Sequence, residues 1–397
     1  MEDQTTGAED QAGVVFLDSA SSTRVLDEAL TSMAPFNKEY YANSGGSYPF
    51  ARVSADAIEE ARRVIAESVG VHEAEHVVFG ASGTESNNQV LFGLSARAFL
   101  RRGSRPRQQC LVTQPSEHAS VLRPLQQCAQ LFGQRVQLLD VDADGLVQPS
   151  QLRALLESNA AADADTVVVS VMQANNRNGS VQPVRELLAI CREFGVPFHT
   201  DACQSYGKMD LDASCADYIT LNSHKIHGPK GASALVCTTS EARQRLQEAP
   251  ALMAGCAQEG GLRAGTHNTA AIAGFAAAVR ALVLDKERNA AFRRHSRQLR
   301  DLLWQRLQQL CGQNVRLVGP PCDGPRLCSH LCVTFPNACL TQLRAFLGDK
   351  NICQSAGATC NKGSTDGAIL RLTIGAFTEE TDVTECIDAL REFFATN

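Results

Sequence analysis

The stretch DYITLNSHKIHGPKGASALVC, residues 217–237, places two apolar runs on either side of a polar segment with two histidines, two lysines, a proline and two glycines. The runs DYITLN and ASALVC have the β-branched and aliphatic content of strands. The connection between them is too short for a helical crossover, which needs about a dozen residues or more. We therefore predict that the two strands are antiparallel where they pair, and that the polar segment connects neighbours within one sheet.

Upstream of this stretch, short apolar runs alternate with helical patterns from about residue 76 onward. The runs are HVVFG (76–80), QCLVTQ (109–114), RVQLLDV (135–141), TVVVSVM (166–172) and VPFHTDA (196–202). With DYITLN and ASALVC they make seven strands. Such alternation is typical of an α/β fold in which helices cover both faces of a mainly parallel sheet. The segment 55–70 supports this prediction, because it places Ile58, Ala61, Ile65 and Val69 on one helical stripe.

The rhythm of the sequence changes at about residue 267. Long helical patterns follow, then the strand-like runs LCVTF (331–335) and ILRLTIG (369–375) and a terminal helix. A chain of 397 residues is long enough for two domains. We predict a large domain over 17–266 and a smaller α/β domain formed by 1–16 and 267–397.

Composition narrows the class of function. The 37 basic and 43 acidic residues give a net charge of -6, and without a long basic run the chain lacks the footprint of a nucleic-acid or membrane-surface binder. No apolar run reaches membrane-spanning length, and the acidic start resembles neither a signal peptide nor a mitochondrial presequence. The 15 cysteines are scattered without a CxxC pair, so we expect the reducing cytoplasm, small-molecule or protein partners, and no structural metal.

Ligands of an open α/β sheet bind beyond the carboxyl ends of its strands. The turn ASGTESNN after the first strand includes Gly83 and Thr84 and suits a phosphate at a helix N-terminus, although an ordinary helix cap has the same composition. His118 follows the next strand, where it either stacks on a planar ring and exchanges a proton or is a structural histidine. Asn175 and Asn176 are either turn formers or donors to a ligand.

Two further strand ends carry charge. Asp201 follows an apolar strand, and a carboxylate there needs a cationic or hydrogen-bonding partner such as a pyridinium nitrogen; Gln204 lies three residues on. Lys225 follows DYITLN beside His224, whereas Lys230 lies in a Pro-Gly turn and is expected to be structural or exposed. A phosphate turn, a stacking histidine, an aspartate and a reactive lysine together describe a pocket for pyridoxal 5′-phosphate (PLP).

The order and spacing of these motifs resemble the cysteine desulfurases and selenocysteine lyases, which are PLP enzymes of the class V aminotransferase fold group. The motifs are LDSASSTRVLDEALTSM, ASGTESNN, SEHASV, ANNRNGSVQPV, HTDACQSYGK, SHKIHGPKG, LRAGTHNTAAIAGF, SAGATC and LRLTIG, and they span nearly the whole chain. The resemblance implies the PLP-dependent transferase fold, with the cofactor in the large domain. One departure concerns Asn222, which stands where these enzymes often have a phosphate-binding serine.

The resemblance also implies individual roles. Lys225 resembles the lysine that binds the aldehyde of PLP, with His224 near the phosphate. Thr84, in the turn with Gly83, resembles a phosphate ligand, His118 the ring-stacking histidine, and Asp201 the partner of the pyridine nitrogen. The implied ligands near the phenolic oxygen are Gln204 and Asn176, and Asn176 is also a candidate to contact the substrate. Thr266 resembles a threonine that reaches the phosphate of a neighbouring subunit, which implies a homodimer.

For the substrate, Arg371 resembles the arginine that binds the carboxylate, and Cys360 resembles the catalytic cysteine of the small domain. Cys360 lies in a segment rich in Gly, Ser and Thr, so its thiol is expected to be exposed, with Lys362 favouring the thiolate. The implied reaction removes sulfur from L-cysteine, giving L-alanine and a persulfide on Cys360 for an acceptor protein. The alternatives are a selenocysteine lyase that uses the same residues and, from another class, an inactive relative that acts as a scaffold.

Overall fold

Strands and helices alternate through the first part of the chain as the sequence pattern indicates. The computed structural model describes residues 13–104, 107–356 and 368–396. The helices are α1 (Asp27–Lys38), α2 (Pro49–Ser68), α3 (Gly83–Leu100), α4 (Ala119–Phe132), α5 (Pro149–Ala161), α6 (Val184–Glu193), α7 (Ser240–Gln247), α8 (Thr269–Val279), α9 (Lys286–Cys311), α10 (Leu340–Asp349) and α11 (Glu380–Thr396). The strands are β1 (Val15–Phe16), β2 (Val77–Gly80), β3 (Gln109–Thr113), β4 (Arg135–Leu138), β5 (Asp165–Ser170), β6 (Phe198–Asp201), β7 (Tyr218–Asn222), β8 (Ser233–Cys237), β9 (Arg316–Leu317), β10 (His330–Phe335), β11 (Ile352–Cys353), β12 (Ser355–Ala356) and β13 (Ala368–Thr373).

The largest sheet has seven strands in the order β2-β8-β7-β6-β5-β3-β4. Strand β8 is antiparallel to both of its neighbours, and β7, β6, β5, β3 and β4 pair in parallel. Every residue of β7 and of β8 is buried, as expected for strands covered on both faces. The predicted seven-stranded, mainly parallel sheet and the predicted antiparallel pairing of β7 with β8 are therefore confirmed.

The helices bury the faces that their sequences predict. On α2, Ile58, Ala61 and Ile65 are at most 3% exposed, and Val69 directly after the helix is fully buried. On α3 the apolar residues Val90, Leu91 and Leu94 join one core cluster with Leu111 of β3. Helix α3 thus attaches to the sheet through an apolar stripe, which fixes where its N-terminal turn lies.

The chain divides into two compact units whose boundaries differ from those predicted. The larger unit comprises Arg24–Asn176 and Ser180–Ala290, and the smaller unit comprises the described residues up to Thr23, Arg177–Gly179 and the chain from Ala291 onward. The sequence boundary at 266/267 places α8 in the small domain, but α8 packs on α1 and α2 of the larger unit. Nine of its eleven residues are buried, because a helix that is apolar on all sides needs cover all round.

The smaller unit has its own sheets and core. Strands β12, β13, β10 and β9 form an antiparallel sheet, and β1 pairs in parallel with β11. The core includes Leu303 of α9, Leu331 of β10, Leu372 of β13 and Leu390 of α11, all fully buried. Across the described ranges, no helix combines the length and the apolar character that crossing a bilayer requires.

Candidate active site

The residues predicted to bind a ligand in the larger unit follow strands whose carboxyl ends share one edge of the sheet. Antiparallel pairing of β8 with both β2 and β7 makes β2 run in the same direction as the parallel strands. The predicted residues at this edge are Gly83 and Thr84 after β2, His118 after β3, Asn176 after β5, Asp201 and Gln204 at the end of β6, and His224 and Lys225 after β7. The topology therefore brings these predicted residues to one edge.

The turn after β2 packs directly against the ends of β6 and β7. Ser82 caps α3, since its hydroxyl accepts a hydrogen bond from Glu85 N at 3.2 Å. A Cβ added to Gly83 would lie 2.7 Å from Cys203 Sγ and 3.2 Å from Asn222 Nδ2, so only glycine allows this close approach. Thr84 is exposed in the first helical turn. The N-terminus of α3 and the amide of Asn222 together form a place that favours an anion.

Asp201 ends β6 as a nearly buried carboxylate with two defined hydrogen bonds. Its Oδ1 accepts the backbone N–H of Cys203 at 2.9 Å, and its Oδ2 accepts Asn87 Nδ2 at 2.7 Å. Gln204 lies in the following turn and is also buried. Both bonds are donated to the carboxylate oxygens, so they fix the orientation of the side chain. Sequence reasoning missed Asn87, although an asparagine within the apolar pattern of α3 was a usable signal, since polar residues are seldom fully buried.

His118 occupies the N-cap of α4 and is exposed. Its Nδ1 accepts the backbone N–H of Ser120 at 3.1 Å and lies 2.7 Å from the Ser120 hydroxyl. The imidazole is thus anchored through Nδ1 at the edge of the sheet where the other candidates lie. Ser120 was not predicted as a site residue, although the second position after an N-cap is a usual place for such a bond.

Glu117, directly before His118, is a second residue that the sequence reasoning missed. It is 1% exposed, and its Oε1 accepts Met172 N at 2.6 Å and Gln114 Nε2 at 2.9 Å. Burial raises the pKa of this carboxyl to about 8, and the charge of Asp201 acts in the same direction. Glu117 is therefore a neutral acid at neutral pH.

The two lysines of the β7–β8 connection differ in their surroundings. Lys225 is half-buried in the single helical turn Ser223–Lys225, whereas Lys230 is exposed. Burial and the charges of Lys225, Lys230 and Lys208 lower the pKa of His224 to about 4, so this imidazole is neutral at pH 7. Burial raises the pKa of the Cys203 thiol, a shift that nearby Asp201 increases and Lys225 opposes.

Two further predicted residues lie on other elements of the chain. In the smaller unit, Arg371 on β13 is 6% exposed and donates from Nη2 to Asp18 Oδ1 at 2.6 Å and to Ser21 Oγ at 2.7 Å. In the larger unit, Thr266 is exposed on the loop before α8. Cys360 and Lys362 lie outside the described residues.

A buried ion-pair network supports the loop before α8. Glu259 accepts two bonds from Arg62, at 2.7 and 2.8 Å, one from Phe79 N at 2.7 Å and one from His267 Nε2 at 2.6 Å. Burial alone would raise the pKa of Glu259, but these bonds lower it to about 2. The loop also borders a cavity of about 790 Å³ that residues 43–46 line from the other side.

The donor set of the larger unit fits PLP in charge and chemistry. An anion can bind at the N-terminus of α3, where the Gly83 backbone leaves room. A protonated ring nitrogen can pair with the Asp201 carboxylate, an aldehyde with the Lys225 amine, and an aromatic face with His118. Where the structure describes the chain, we find no cluster of three His, Cys, Asp or Glu side chains that could hold a metal ion.

Comparison with known proteins extends this similarity to the whole chain. Residues 15–385 match the family described as Aminotransferase class-V. A cysteine desulfurase IscS of Dictyoglomus turgidum is 30% identical over 95% of this chain and 93% of its own length, and one of Methanosarcina thermophila is 32% identical over 95% and 91%. A solved NifS-like protein is 27% identical and superposes with a TM-score of 0.85 over 97% of this chain and 100% of its own. The fold and the resemblance predicted from the sequence are thereby confirmed.

Proposed function

Because the chain belongs to the class V aminotransferase family, whose members include PLP-dependent cysteine desulfurases, we propose that it is a cysteine desulfurase that uses PLP. It removes sulfur from L-cysteine, giving L-alanine and a persulfide on Cys360, whose sulfur then passes to an acceptor protein. The observation that carries this proposal is the array at one sheet edge, where Gly83, Asp201 and Lys225 follow three different strands.

Four residues would hold the cofactor ring and its aldehyde. PLP, when bound, supplies an electron sink that stabilises negative charge at the substrate Cα. Lys225 would bind its aldehyde, and the lysine amine, once the amino group of the substrate has displaced it, would act as the base for the α-proton. The Asp201 carboxylate would keep the ring nitrogen protonated. The two hydrogen bonds that Asp201 accepts hold the carboxylate in place for this role. By resemblance, His118 would stack on the ring and exchange a proton, and Gln204 would contact the phenolic oxygen.

The phosphate would bind where α3 begins. Gly83 and Thr84 supply the first turn of the helix, and neutral His224 supplies one ring N–H without adding charge. Asn222 replaces the hydroxyl that many relatives have at this position. Its Nδ2 lies next to Gly83, so an amide donor stands in for the missing serine.

The substrate contacts are assigned by resemblance. Arg371 binds the carboxylate of cysteine, a task that suits a planar guanidinium, and Asn176 contacts both substrate and cofactor. In the smaller unit Arg371 is held by Asp18 and Ser21, which fixes the direction of its side chain. The Cys360 thiolate attacks the substrate sulfur: an S–S bond forms, the Cβ–S bond breaks, and alanine leaves.

We further propose a homodimer in which Thr266 reaches the phosphate bound to the partner subunit. Thr266 is exposed on this subunit's own surface. Nearby chain segments also carry exposed aromatic residues, Tyr41, Tyr48 and Phe50, which are 73%, 52% and 40% exposed. Exposed apolar patches of this kind are typical of protein–protein contacts.

The proposed location is the reducing cytoplasm. All fourteen cysteines that the structure describes are free thiols, as expected where disulfides are kept reduced. A persulfide on Cys360 also needs a thiol or protein acceptor, which such a compartment supplies.

The test combines the visible absorbance of PLP with product analysis. We expect a yellow protein that loses its visible band in Lys225→Ala and keeps it in the matched variant Lys230→Ala. With reductant, L-cysteine should give equimolar alanine and sulfide. Cys360→Ala should abolish this reaction, whereas Cys339→Ala, which removes another exposed thiol, should retain it.

The same assay separates the alternatives. Turnover of L-selenocysteine beside L-cysteine decides between selenide release and sulfur transfer. A colourless protein that gains no band with added PLP would favour a scaffold, and full activity of Cys360→Ala on cysteine would overturn the assignment of the nucleophile.

A further inference from the structure

A continuous chain of hydrogen bonds connects the strand-end carboxylate to the histidine on the next helix of the site. Asn87 Nδ2 donates to Asp201 Oδ2 at 2.7 Å and to Ser120 Oγ at 2.9 Å, and Ser120 Oγ lies 2.7 Å from His118 Nδ1. Asn87 is fully buried, and Ser120 is 6% exposed. These hydrogen bonds therefore run through the protein interior, and the series reaches an exposed side chain at His118.

The chemistry of the donors fixes the direction of each bond. Both hydrogens of the Asn87 amide are used, one for Asp201 and one for Ser120. The reverse amide orientation would place Asn87 Oδ1 against the Asp201 carboxylate, and two acceptors repel each other. Since Ser120 Oγ accepts from Asn87, its own hydrogen is available to His118. Asn87 Oδ1 finds no donor among the residues that the structure describes, a cost that the two amide bonds offset.

The donors that face His118 decide which of its ring nitrogens carries a proton. His118 Nδ1 faces two donors, the hydroxyl and the backbone N–H of Ser120. The backbone N–H of Ser120 can only donate, and a hydrogen on Nδ1 would abolish that bond. The neutral ring therefore holds its proton on Nε2. Nε2 is then a donor, and the orientation of the imidazole follows from the position of Ser120.

We propose that Asn87 and Ser120 are positioning residues that tie His118 to Asp201 and keep the proton of the neutral imidazole on Nε2. The catalytic consequence rests on the proposed function, because His118 has a role in proton transfer only if the protein is a PLP enzyme. The hydrogen bonds themselves exist without PLP and are tested without it. One buried amide thus links the group that pairs with the pyridine nitrogen to the group that stacks on the ring.

The direct test is ¹⁵N NMR of the PLP-free protein labelled at histidine, with His118 assigned by comparison with His118→Gln. In the wild type we expect a protonated Nε2 and an Nδ1 shifted as a hydrogen-bond acceptor. Ser120→Ala should move the Nδ1 resonance toward that of an acceptor with fewer donors, and Ser120→Thr, which keeps the hydroxyl, should restore it. A protonated Nδ1 in the wild type, or an Nδ1 resonance indifferent to Ser120→Ala, would overturn the proposal.

Two further variants separate positioning from general loss of structure. Asn87→Leu should move the Nδ1 resonance in the same direction as Ser120→Ala, because Ser120 Oγ loses the donor that orients it. Ser86→Ala is the matched control, since Ser86 is buried beside Asn87. Its hydroxyl bonds to Ser233 at 3.0 Å and takes no part in the hydrogen bonds between Asp201 and His118. Ser86→Ala should leave the His118 spectrum unchanged. A change there as large as in Ser120→Ala would mean that the resonance reports packing, and the proposal would fall.

Kinetics of the PLP-loaded enzyme give the second readout. Ser120→Ala should lower kcat for L-cysteine roughly two- to tenfold, the rate equivalent of one hydrogen bond, with a smaller change in KM. Ser120→Thr should recover most of the loss. If the protein shows no desulfurase activity while the NMR result holds, the proposed function fails and the hydrogen-bond chain stands.

Discussion

Arg263 Nε donates to Glu85 Oε1 at 2.7 Å, and Glu85 Oε2 accepts the backbone N–H of Ala81 at 3.0 Å. The side chains of Arg263 and Glu85 are 14% and 15% exposed. Glu85 lies one residue after Thr84, and Arg263 lies three residues before Thr266. One ion pair therefore joins the two segments that we propose as phosphate ligands, one for each subunit of the dimer.

Breaking this pair should weaken the binding of PLP. We expect Arg263→Gln to raise the dissociation constant of PLP roughly five- to twentyfold, which corresponds to about 1 to 2 kcal/mol for a partly buried charged hydrogen bond. Titration of the PLP-free protein by visible absorbance measures the change. Arg153→Gln, which breaks an exposed pair with Glu193, should bind PLP as the wild type does. Equal affinity in the two variants would contradict the link between the segments.

Glu259 should contribute strongly to stability because its carboxylate is buried among its donors. Glu259→Gln removes the buried countercharge of Arg62 and leaves it only the exposed Glu59, so we expect the free energy of unfolding to fall by about 3 to 5 kcal/mol. Urea unfolding followed by circular dichroism measures this difference. Glu241→Gln, which breaks a surface pair with Arg245, should cost less than about 1 kcal/mol.

The contribution of Glu259 should also depend on pH with a defined sign. Its pKa is lowered from an ordinary value of 4.5 to about 2, so the unfolded chain binds the proton more readily than the folded protein. The advantage of the wild type over Glu259→Gln is complete above about pH 4.5 and is lost as the pH falls toward 2. A difference that persisted unchanged at pH 2 would contradict this account.

Glu117 should show the opposite dependence. Its pKa is raised from 4.5 to about 8, so between these values the folded protein holds a proton that the unfolded chain has released. The free energy of unfolding should decrease with rising pH across this window, with a slope of up to about 1.4 kcal/mol per pH unit. Glu117→Gln, which keeps the size of the side chain, should remove that part of the slope. Unfolding curves at pH 5.5, 6.5 and 7.5 test this, and identical slopes in both proteins would refute it.

Thiol reactivity should separate the cysteines of the chain. Burial and Asp201 raise the pKa of Cys203, and alkylation requires the thiolate. We expect iodoacetamide at pH 7.5 to modify the exposed Cys256 and Cys339 well before Cys203, as measured by peptide mass spectrometry. Inactivation should follow the modification of Cys360. Inactivation that instead followed the labelling of Cys203 would assign the nucleophile elsewhere.

The sequence predicts the strands and the edge of the site better than it predicts the contacts within the site. The short connection around Lys225 requires β7 and β8 to be antiparallel, because chain length alone excludes a crossover. The partnership of Asn87 with Asp201 has no such signature: the residues are 114 positions apart, and the bond depends on how α3 packs on the sheet. The packing of α8 on α1 has no local signature either, so the sequence cannot show to which unit this helix belongs.

The close approach of Gly83 and Cys203 also constrains how related chains can diverge. A methyl group at position 83 would collide with the sulfur 2.7 Å away, so Gly83→Ala should be tolerated best where position 203 is alanine or glycine. The two positions are 120 residues apart, and a larger residue at position 83 is expected only together with a smaller one at position 203 across descendants of this sequence. A deleterious Gly83→Ala exchange should therefore have its suppressor at position 203.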